Sequence, residues 1–363
     1  MQFLPHTKSP SPRTPSESTT PSTISPSQPL AHQVGGHEGV QTTADGSLLI
    51  KPTLPLELTF YQSVTAIPAL APLQPWIPQF LGTLRLEGQR TAEGEVVQGV
   101  PSGLEEQQDE YSIPCCLVLE NLSHPFLRPN ILDVKLGTVL YDEDATAEKR
   151  ARMEITARST TSHKTGIRLT GFQVYDNTTA KPITTPKSYG KSITPADLPT
   201  GIACVFPTAF DGAGTSGLPA HTLSPMLDTL TDAVRAVRDA VASVEIRMVG
   251  GSLLVLYEAE WDRAAEGVEW LKAHPGQFAE EEDEDEDEDE EEGEGEGEGE
   301  DDEMSKKAGP PFVVKLIDFA HTWLKPGEGP DEGVLKGLDT LIELLDGRRE
   351  EVRASLQPRS HTA

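Results

Sequence analysis

An acidic tract that cannot bury a core divides this chain and limits what the rest of it can form. Residues 280–303 contain twenty Asp or Glu residues, and the remaining four are glycines. Like-charge repulsion and the absence of apolar side chains predict a solvated loop or tether. Short apolar segments of strand length flank the tract, at residues 253–258 and 312–319. We therefore expect the tract to be an insertion between two strands of one folded unit.

The N-terminal end of the chain is also unsuited to a core. Residues 1–30 are mostly Ser, Thr and Pro, which cannot offset the entropy lost on ordering and predict a disordered tail. About 300 residues then remain, a length that suits one large domain with two lobes. The sequence shows no apolar segment of the signal-peptide or membrane-span type and only three cysteines. We expect an intracellular protein in the nucleus and cytoplasm, and nothing in the sequence separates the two compartments.

The distribution of charge is uneven. The formal net charge is −29, and the acidic tract supplies 20 of these negative charges, so the rest of the chain carries −9. An acidic protein repels polyanions on average, and we expect no direct binding of nucleic acid. Residues 149–168 nevertheless contain six basic side chains: Lys149, Arg150, Arg152, Arg158, Lys164 and Arg168. On charge alone, this cluster fits a solvated helix face and an anion-binding surface equally well.

Turn signals and short apolar runs predict most of the strands. Asp45-Gly46 is a hairpin signal before a strand that ends at Lys51. Apolar or alternating runs predict further strands over 80–86, 113–119, 133–141 and 167–175, with Gly137 in the middle of the third of these. Residues 91–110 are predicted to form a polar excursion between strands.

Helical periodicity dominates the second half of the chain. A helix is predicted to begin near Glu57, and a second covers 146–158 with Thr146 as its N-cap. Apolar stripes predict two more helices, over 225–245 and 331–345. The layout is that of an α+β protein with a sheet-rich N-lobe and a mixed α/β C-lobe. We expect the lobes at residues 31–122 and 123–350, and a tail at 351–363.

Four charged residues could carry chemistry. Asp133 and Lys135 lie two apart in a predicted strand and therefore share a face, as in a site for phosphate and hydroxyl groups or in an ordinary ion pair. Asp318 ends an apolar strand, where a carboxylate either caps the strand or holds Mg²⁺ beside phosphates. Lys51 ends a strand, as does the lysine that grips nucleotide phosphates in kinases, although a solvated lysine is the simpler reading. Their order along the chain is typical of a kinase.

Several ordered motifs resemble one family. Pro129-x-x-x-Asp133-x-Lys135-x-Gly137 resembles the PxxxDxKxG signature of the inositol polyphosphate kinases. Gly250-Gly-Ser252-Leu-Leu is similar to the SSLL element of that family, with Gly251 in place of the first Ser. The segments 317–321 and 331–338 resemble its IDF element and its C-terminal helix, and residues 148–168 are most similar to the fungal inositol polyphosphate multikinases. The resemblance implies a two-lobed kinase-like fold.

The resemblance also implies roles on the nucleotide side of the site, with ATP and Mg²⁺ as cofactors. Lys51 would hold the nucleotide phosphates, Asp318 would bind Mg²⁺, and Ser252 would lie near the nucleotide. Asp133 would either contact the ribose or orient the acceptor hydroxyl. The adenine would meet the backbone of a hinge formed by Glu120, Asn121 and Leu122.

On the substrate side, the resemblance implies that basic side chains bind the inositol phosphates. Lys135 would bridge the substrate and the transferred phosphoryl group, and His321 would bind substrate. The remaining members of this clamp would be Lys149, Arg150, Arg152 and Lys187.

The implied activity is that of a multikinase that converts inositol trisphosphate to tetrakis- and pentakisphosphate. A narrower trisphosphate 3-kinase and a hexakisphosphate kinase are the alternatives within the family. A third hypothesis makes the chain an interaction protein, whose acidic tract recruits transcription or chromatin proteins while the kinase core is secondary. The simpler interpretation of the tract is a passive tether.

Overall fold

The computed structural model describes residues 27–30, 39–85, 89–90, 96–97, 115–209, 216–278 and 309–357. The strands in these ranges are β1 (Gln28–Pro29), β2 (Gln41–Thr42), β3 (Leu48–Pro52), β4 (Phe80–Arg85), β5 (Gln89–Arg90), β6 (Val96–Val97), β7 (Cys115–Glu120), β8 (Pro129–Leu136), β9 (Ile167–Asp176), β10 (Lys181–Thr185), β11 (Thr208–Ala209), β12 (Leu218–Pro219), β13 (Ile246–Met248), β14 (Ser252–Glu258), β15 (Phe312–Ile317) and β16 (Thr322–Leu324). The α-helices are α1 (Pro55–Ala66), α2 (Ala147–Ser159), α3 (Ser162–Thr165), α4 (Lys187–Ser192), α5 (Leu198–Val205), α6 (Ala220–Ala242), α7 (Trp261–Ala273) and α8 (Glu332–Leu356). Two 3₁₀ helices cover Pro68–Trp76 and Pro195–Asp197.

The N-terminal half forms an antiparallel sheet in the order β1-β2-β3-β7-β4. The predicted hairpin at Asp45-Gly46 is confirmed: Gly46 takes a φ of +77°, and the Asp45 carboxylate accepts a hydrogen bond from the Ser47 hydroxyl. Helix α1 begins with a proline, whose missing N–H costs nothing in the first turn. The helix buries Phe60 and Val64. This half is the sheet-rich lobe that the sequence predicts.

The second half contains an antiparallel sheet in the order β10-β9-β8-β14-β15. Strand β14 lies between β8 and β15, so that Ser252 faces Lys135 on one side and Ile317 on the other. Strands β14 and β15 pair although α7 and the acidic tract separate them in the sequence. Helices α6 and α8 supply much of the core, with Leu230, Val234 and Leu338 fully buried. The mixed α/β lobe is therefore confirmed.

The predicted bounds of three elements are wrong. Strand β8 covers 129–136 rather than 133–141, because Gly137 has a φ of +99° and turns the chain out of the sheet. Helix α6 starts at Ala220 and continues through Pro225, since burial of Leu223 and Met226 outweighs the proline. Helix α8 extends to Leu356, six residues into the expected tail, where Val352 is buried.

Some expectations fall outside the described residues. These are the acidic tract, most of the polar excursion at 91–110 and most of the N-terminal tail. The structure describes only β6 in the excursion, paired with β5 just before it, and 27–30 in the tail. The lobe boundaries stay predictions. Of the helices that the structure describes, none combines the length and the apolar character that a membrane crossing requires.

Candidate active site

A buried lysine joins the two sheets at their interface. The ammonium Nζ of Lys51, on β3, donates hydrogen bonds to Glu57 Oε1 at 2.8 Å and to Asp318 Oδ1 at 2.7 Å. Burial alone would lower the pKa of Lys51, but the charges of Asp318 and Glu57 and their hydrogen bonds outweigh it and raise the pKa. The lysine is therefore held charged, between the first turn of α1 and the segment after β15.

The backbone of the segment after β15 is also fixed from α1. Asp318 has a φ of +65°, a left-handed conformation that is costly for a residue with a side chain. The N–H of Phe319 donates to Glu57 Oε1 at 3.2 Å, and the Phe319 ring stacks on Phe60 with 4.3 Å between ring centroids. Glu57 therefore contacts both the lysine and the chain beside Asp318, and it holds this carboxylate in place.

Strand β8 presents Asp133 and Lys135 on one face, as the spacing predicts. Asp133 is buried, and this burial raises its pKa to about 6. The negative charge of Asp318 also raises the pKa, whereas Lys135, the Ser252 hydroxyl and Lys187 oppose the shift. Within the described ranges, Asp133 Oδ1 has no hydrogen-bond partner. A buried carboxylate oxygen without a protein partner is costly, and a hydrogen bond from a ligand would remove that cost.

A cavity of about 270 Å³ opens over this face of the sheet. Cations outnumber carboxylates in its lining, which consists of Asp133, Lys135, Arg168, Thr170, Lys187, Lys191 and Asp318. Burial lowers the pKa of Arg168, with the charge of Asp133 opposing, and its buried Nη1 has no partner among the described residues. Four cations around a small cavity suit a ligand with several phosphates.

The two lysines opposite the sheet come from the short helix α4. Lys187 and Lys191 are four residues apart and therefore lie on one face of this helix. Gly190 allows the helix to approach β9 closely, because a Cβ atom at this position would lie only 1.7 Å from the Leu169 carbonyl oxygen. Both lysines line the cavity together with Arg168 and Thr170.

A second group of predicted residues lies around Asp142 rather than in the cavity. Asp142 Oδ2 is 2.7 Å from Nδ1 of His321 and 3.7 Å from Nζ of Lys149. Arg150 donates to the carbonyl oxygens of Glu143 and Ala145 and lies over the Tyr141 ring. Arg152 is exposed on α2. The substrate contacts expected of His321, Lys149, Arg150 and Arg152 stay predictions.

The predicted hinge is a turn after β7 that contacts the N-terminal hairpin. Glu120 Oε1 accepts from the Gln79 N–H at 2.8 Å, and Asn121 Nδ2 donates to the Gly46 carbonyl at 2.7 Å. The side chain of Leu122 is buried beside Ile131. These side chains have structural partners, which leaves the predicted contact between the backbone and adenine untested.

The carboxylates suit a metal that binds together with phosphates. No three His, Cys, Asp or Glu side chains cluster as a metal site in the described part of the chain. Mg²⁺ in kinases is usually held by one or two carboxylates, with phosphate and water oxygens as the other ligands. Asp318, with Asp133 in the same cavity, supplies such a donor set.

Four residues of the site were not assigned to it from the sequence. Glu57 was recognised only as part of a helix, Arg168 only as part of a basic cluster, and Thr170 and Lys191 had no assigned role. The i,i+4 spacing of Lys187 and Lys191 was a usable signal. The position of Arg168 opposite Lys135 depends on the pairing of β8 with β9, which the sequence does not encode locally.

The sequence of this chain is similar to that of one family of kinases. The family profile described as inositol polyphosphate kinase matches residues 116–346. The inositol polyphosphate multikinase of Saccharomyces cerevisiae is 33% identical over 350 residues, which cover 87% of this chain and 97% of the relative. Human inositol hexakisphosphate kinase 1 is 30% identical over 65% of this chain and 53% of its own length.

A solved structure agrees with the sequence comparison. The fold is similar to that of an inositol phosphate multikinase from S. cerevisiae in complex with ADP and Mn²⁺, with a TM-score of 0.56 and 26% identity. The match covers 84% of this chain and 99% of that structure.

Proposed function

The chain belongs to the inositol polyphosphate kinase family and is an inositol phosphate kinase, and we propose that it is an ATP- and Mg²⁺-dependent multikinase. Its substrates would be inositol trisphosphate and the tetrakisphosphate formed from it, and its final product the pentakisphosphate. The observation that carries this proposal is the cavity in which Lys135, Arg168, Lys187 and Lys191 face the carboxylates of Asp133 and Asp318. The similarity to a multikinase over most of both chains supports the same assignment.

The nucleotide and metal are assigned to the side of the cavity next to Lys51. Lys51 would bind nucleotide phosphates, and the backbone of Glu120, Asn121 and Leu122 would meet adenine. Asp318 would hold the divalent ion, and Ser252 lies opposite the preceding residue, Ile317, in the sheet. When bound, Mg²⁺ neutralises the charge that develops on the transferred phosphoryl group.

The acceptor hydroxyl is assigned to Asp133. Asp133 lines a cavity rich in cations, and its Oδ1 has no partner among the described residues; both observations favour a contact with the phosphorylated substrate over one with the ribose. In its ionised form, Asp133 would accept the hydroxyl proton as the phosphoryl group arrives. Lys135 would bind the oxygens of both the substrate and the transferred group.

The outer phosphates are assigned to the remaining cations. Arg168, Lys187 and Lys191 would bind those nearest the acceptor hydroxyl, while Lys149, Arg150, Arg152 and His321 would act on phosphates that project beyond the cavity. We further propose that the protein is present in nucleus and cytoplasm and that residues 280–303 act as a tether. Recruitment of transcription or chromatin proteins by that tract is the alternative.

The test is a product analysis with purified protein. Mg-ATP and one inositol phosphate at a time are incubated with the enzyme, and products are resolved by ion-exchange chromatography. We expect tetrakis- and pentakisphosphate from the trisphosphate. Addition of a single phosphate would indicate a narrower 3-kinase, pyrophosphate formation on the hexakisphosphate would indicate a hexakisphosphate kinase, and no transfer at all would contradict the proposal.

The role of Asp318 is tested in the same assay. Asp318→Asn should abolish transfer, because the neutral amide binds a divalent ion poorly, while circular dichroism should show an intact fold. Asp262→Asn, in the exposed first turn of α7, is the matched control and should be fully active. Full activity of the Asp318 variant would remove this residue from the metal site.

A further inference from the structure

Two adjacent glycines lie beside Lys135, in the turn between β13 and β14. The Nζ of Lys135 donates a hydrogen bond to the Gly250 carbonyl at 2.6 Å. The backbone N–H of the next residue, Leu136, donates to the Gly251 carbonyl at 3.0 Å. The turn is thus bonded both to the lysine side chain and to the strand that carries it.

The two glycines meet different requirements. Gly250 has a φ of +76°, and a Cβ atom there would meet nothing within 4 Å, so only the backbone conformation requires glycine. A Cβ atom on Gly251 would lie 2.6 Å from the side chain of Met248, which is buried. Gly251 therefore makes room for Met248, whereas Gly250 sets the direction of the turn and of its carbonyl.

The carbonyl of Gly250 opposes two effects that would otherwise displace the Lys135 side chain. Lys135 is half-buried and shares the lining with Arg168, Lys187 and Lys191, whose like charges repel its ammonium group. A lysine side chain also has many rotamers to lose. One hydrogen bond to a fixed carbonyl opposes both effects and leaves two of the three N–H donors for phosphate oxygens.

We infer that Gly250 is a positioning residue for phosphoryl transfer: its left-handed backbone aims a carbonyl at Lys135 and thereby holds this lysine ready for the substrate phosphates. The inference rests on the proposed role of Lys135. Gly250 itself touches neither substrate nor nucleotide in this assignment. Its effect on binding must therefore disappear when the lysine is removed.

The experiment measures the affinity for inositol trisphosphate by calorimetry in the full-length protein. Gly250→Ala should weaken binding about fivefold to tenfold, because a side chain disfavours the left-handed conformation that directs the carbonyl. Gly250→Asn should restore most of the affinity, since Asn tolerates that conformation. Gly276→Ala is the matched control, because Gly276 has a φ of +86°, is equally open around its Cβ and lies outside the site.

A double-mutant cycle separates positioning from a structural effect. In a Lys135→Met background, Gly250→Ala should change the affinity less than twofold. The inference is overturned if Gly250→Ala binds like the Gly276 control, if it weakens binding equally without the lysine, or if the Asn variant folds but binds as weakly as the Ala variant. If Lys135→Met alone binds and transfers normally, the proposed role of Lys135 fails and the inference fails with it. If Gly250→Ala binds inositol trisphosphate normally while Lys135→Met binds it weakly, only the inference about Gly250 is overturned.

Discussion

The carboxyl group of Asp133 is buried among charged neighbours, and this environment determines when it ionises. We expect it to titrate near pH 6, because burial disfavours the charged form and Asp318 adds negative charge. Lys135→Met should raise the pKa further by removing an opposing cation, and Asp318→Asn should lower it. Carbon-13 NMR of labelled aspartate carboxyls would measure each shift directly. This measurement avoids interference from the substrate phosphates, which also titrate at about pH 6.

The sign of the pH effects follows from this raised pKa. If Asp133 accepts a proton, activity should rise as the pH increases through about 6. Stability should change in the opposite sense, because the folded protein binds the Asp133 proton more tightly than the unfolded chain does. The contribution of Asp133 to the free energy of unfolding is therefore largest at low pH and declines as the pH rises towards about 6. Asp45 is exposed, and hydrogen bonds from Thr43 and Ser47 lower its pKa to about 2. Its carboxyl group therefore serves as an internal reference. Equal shifts at Asp45 and Asp133 in the variants would contradict the assignment.

At the residue scale, local patterns predicted what depends on neighbours in the sequence. The shared face of Asp133 and Lys135 follows from the two-residue repeat of a strand, and the Thr146 N-cap, which accepts from the Lys149 N–H, follows from helix-start chemistry. The contact between Lys51 and Asp318 spans 267 residues and has no local signal. The same holds for Glu57, whose role depends on how α1 packs.

At the scale of elements, the short helix α4 supplies two of the four cations that line the cavity, Lys187 and Lys191. Gly190→Ala should force α4 away from β9, since the new Cβ atom would overlap the Leu169 carbonyl. Lys187 and Lys191 would move with the helix. We expect the KM for inositol trisphosphate to rise about tenfold or more, with little change in the KM for ATP, as measured by steady-state kinetics.

A helical glycine without close neighbours is the control for this change. Gly347, on the exposed side of α8, has nothing within 4 Å of an added Cβ atom. Gly347→Ala should leave both KM values unchanged and stabilise the protein slightly, because alanine favours helix more than glycine does. If Gly190→Ala raised the KM of ATP as much as that of the substrate, its effect would be general rather than confined to α4.

Element types were predicted better than element ends, for reasons visible in three places. The apolar residues around Gly137 predict a strand that continues past it. Its left-handed backbone instead ends β8 at Leu136, the residue before Gly137. Pro225 looked like a helix start, but buried side chains carry α6 past it. The apolar stripe of α8 thins after Leu345, where ion pairs such as Arg353 with Asp228 support the last turns.

At the scale of the whole molecule, the cavity is lined by residues of the second half, whereas the part of the site around Lys51 lies where the two halves meet. Lys51 comes from the first sheet and Asp318 from the segment that follows β15 of the second, and the Phe60–Phe319 stack packs α1 against that segment. The order of the motifs predicted that these residues share a site, whereas their geometry required the fold. Any change that separates the halves should therefore affect the nucleotide and the metal together.

The acidic tract makes the largest contribution to the electrostatic field of the whole molecule, because it supplies 20 of the 29 net negative charges. Its flanks are well packed without it: Trp76 contacts Phe278 on one side, and β15 pairs with β14 on the other. Deletion of 280–303 should leave kcat unchanged. The KM for inositol trisphosphate should fall about twofold to fivefold at low salt, because the mean field no longer repels a polyanion.

Ionic strength distinguishes this long-range effect from a change in the site. At roughly 0.5 M salt the Debye length is only a few ångströms, so the deletion variant and the intact protein should have the same KM. A variant of the same length, with every Asp and Glu of the tract changed to Asn and Gln, should behave like the deletion, because charge rather than length is the cause. A KM difference that persists at high salt, or a changed kcat, would mean that the tract contacts the catalytic lobes and is more than a tether.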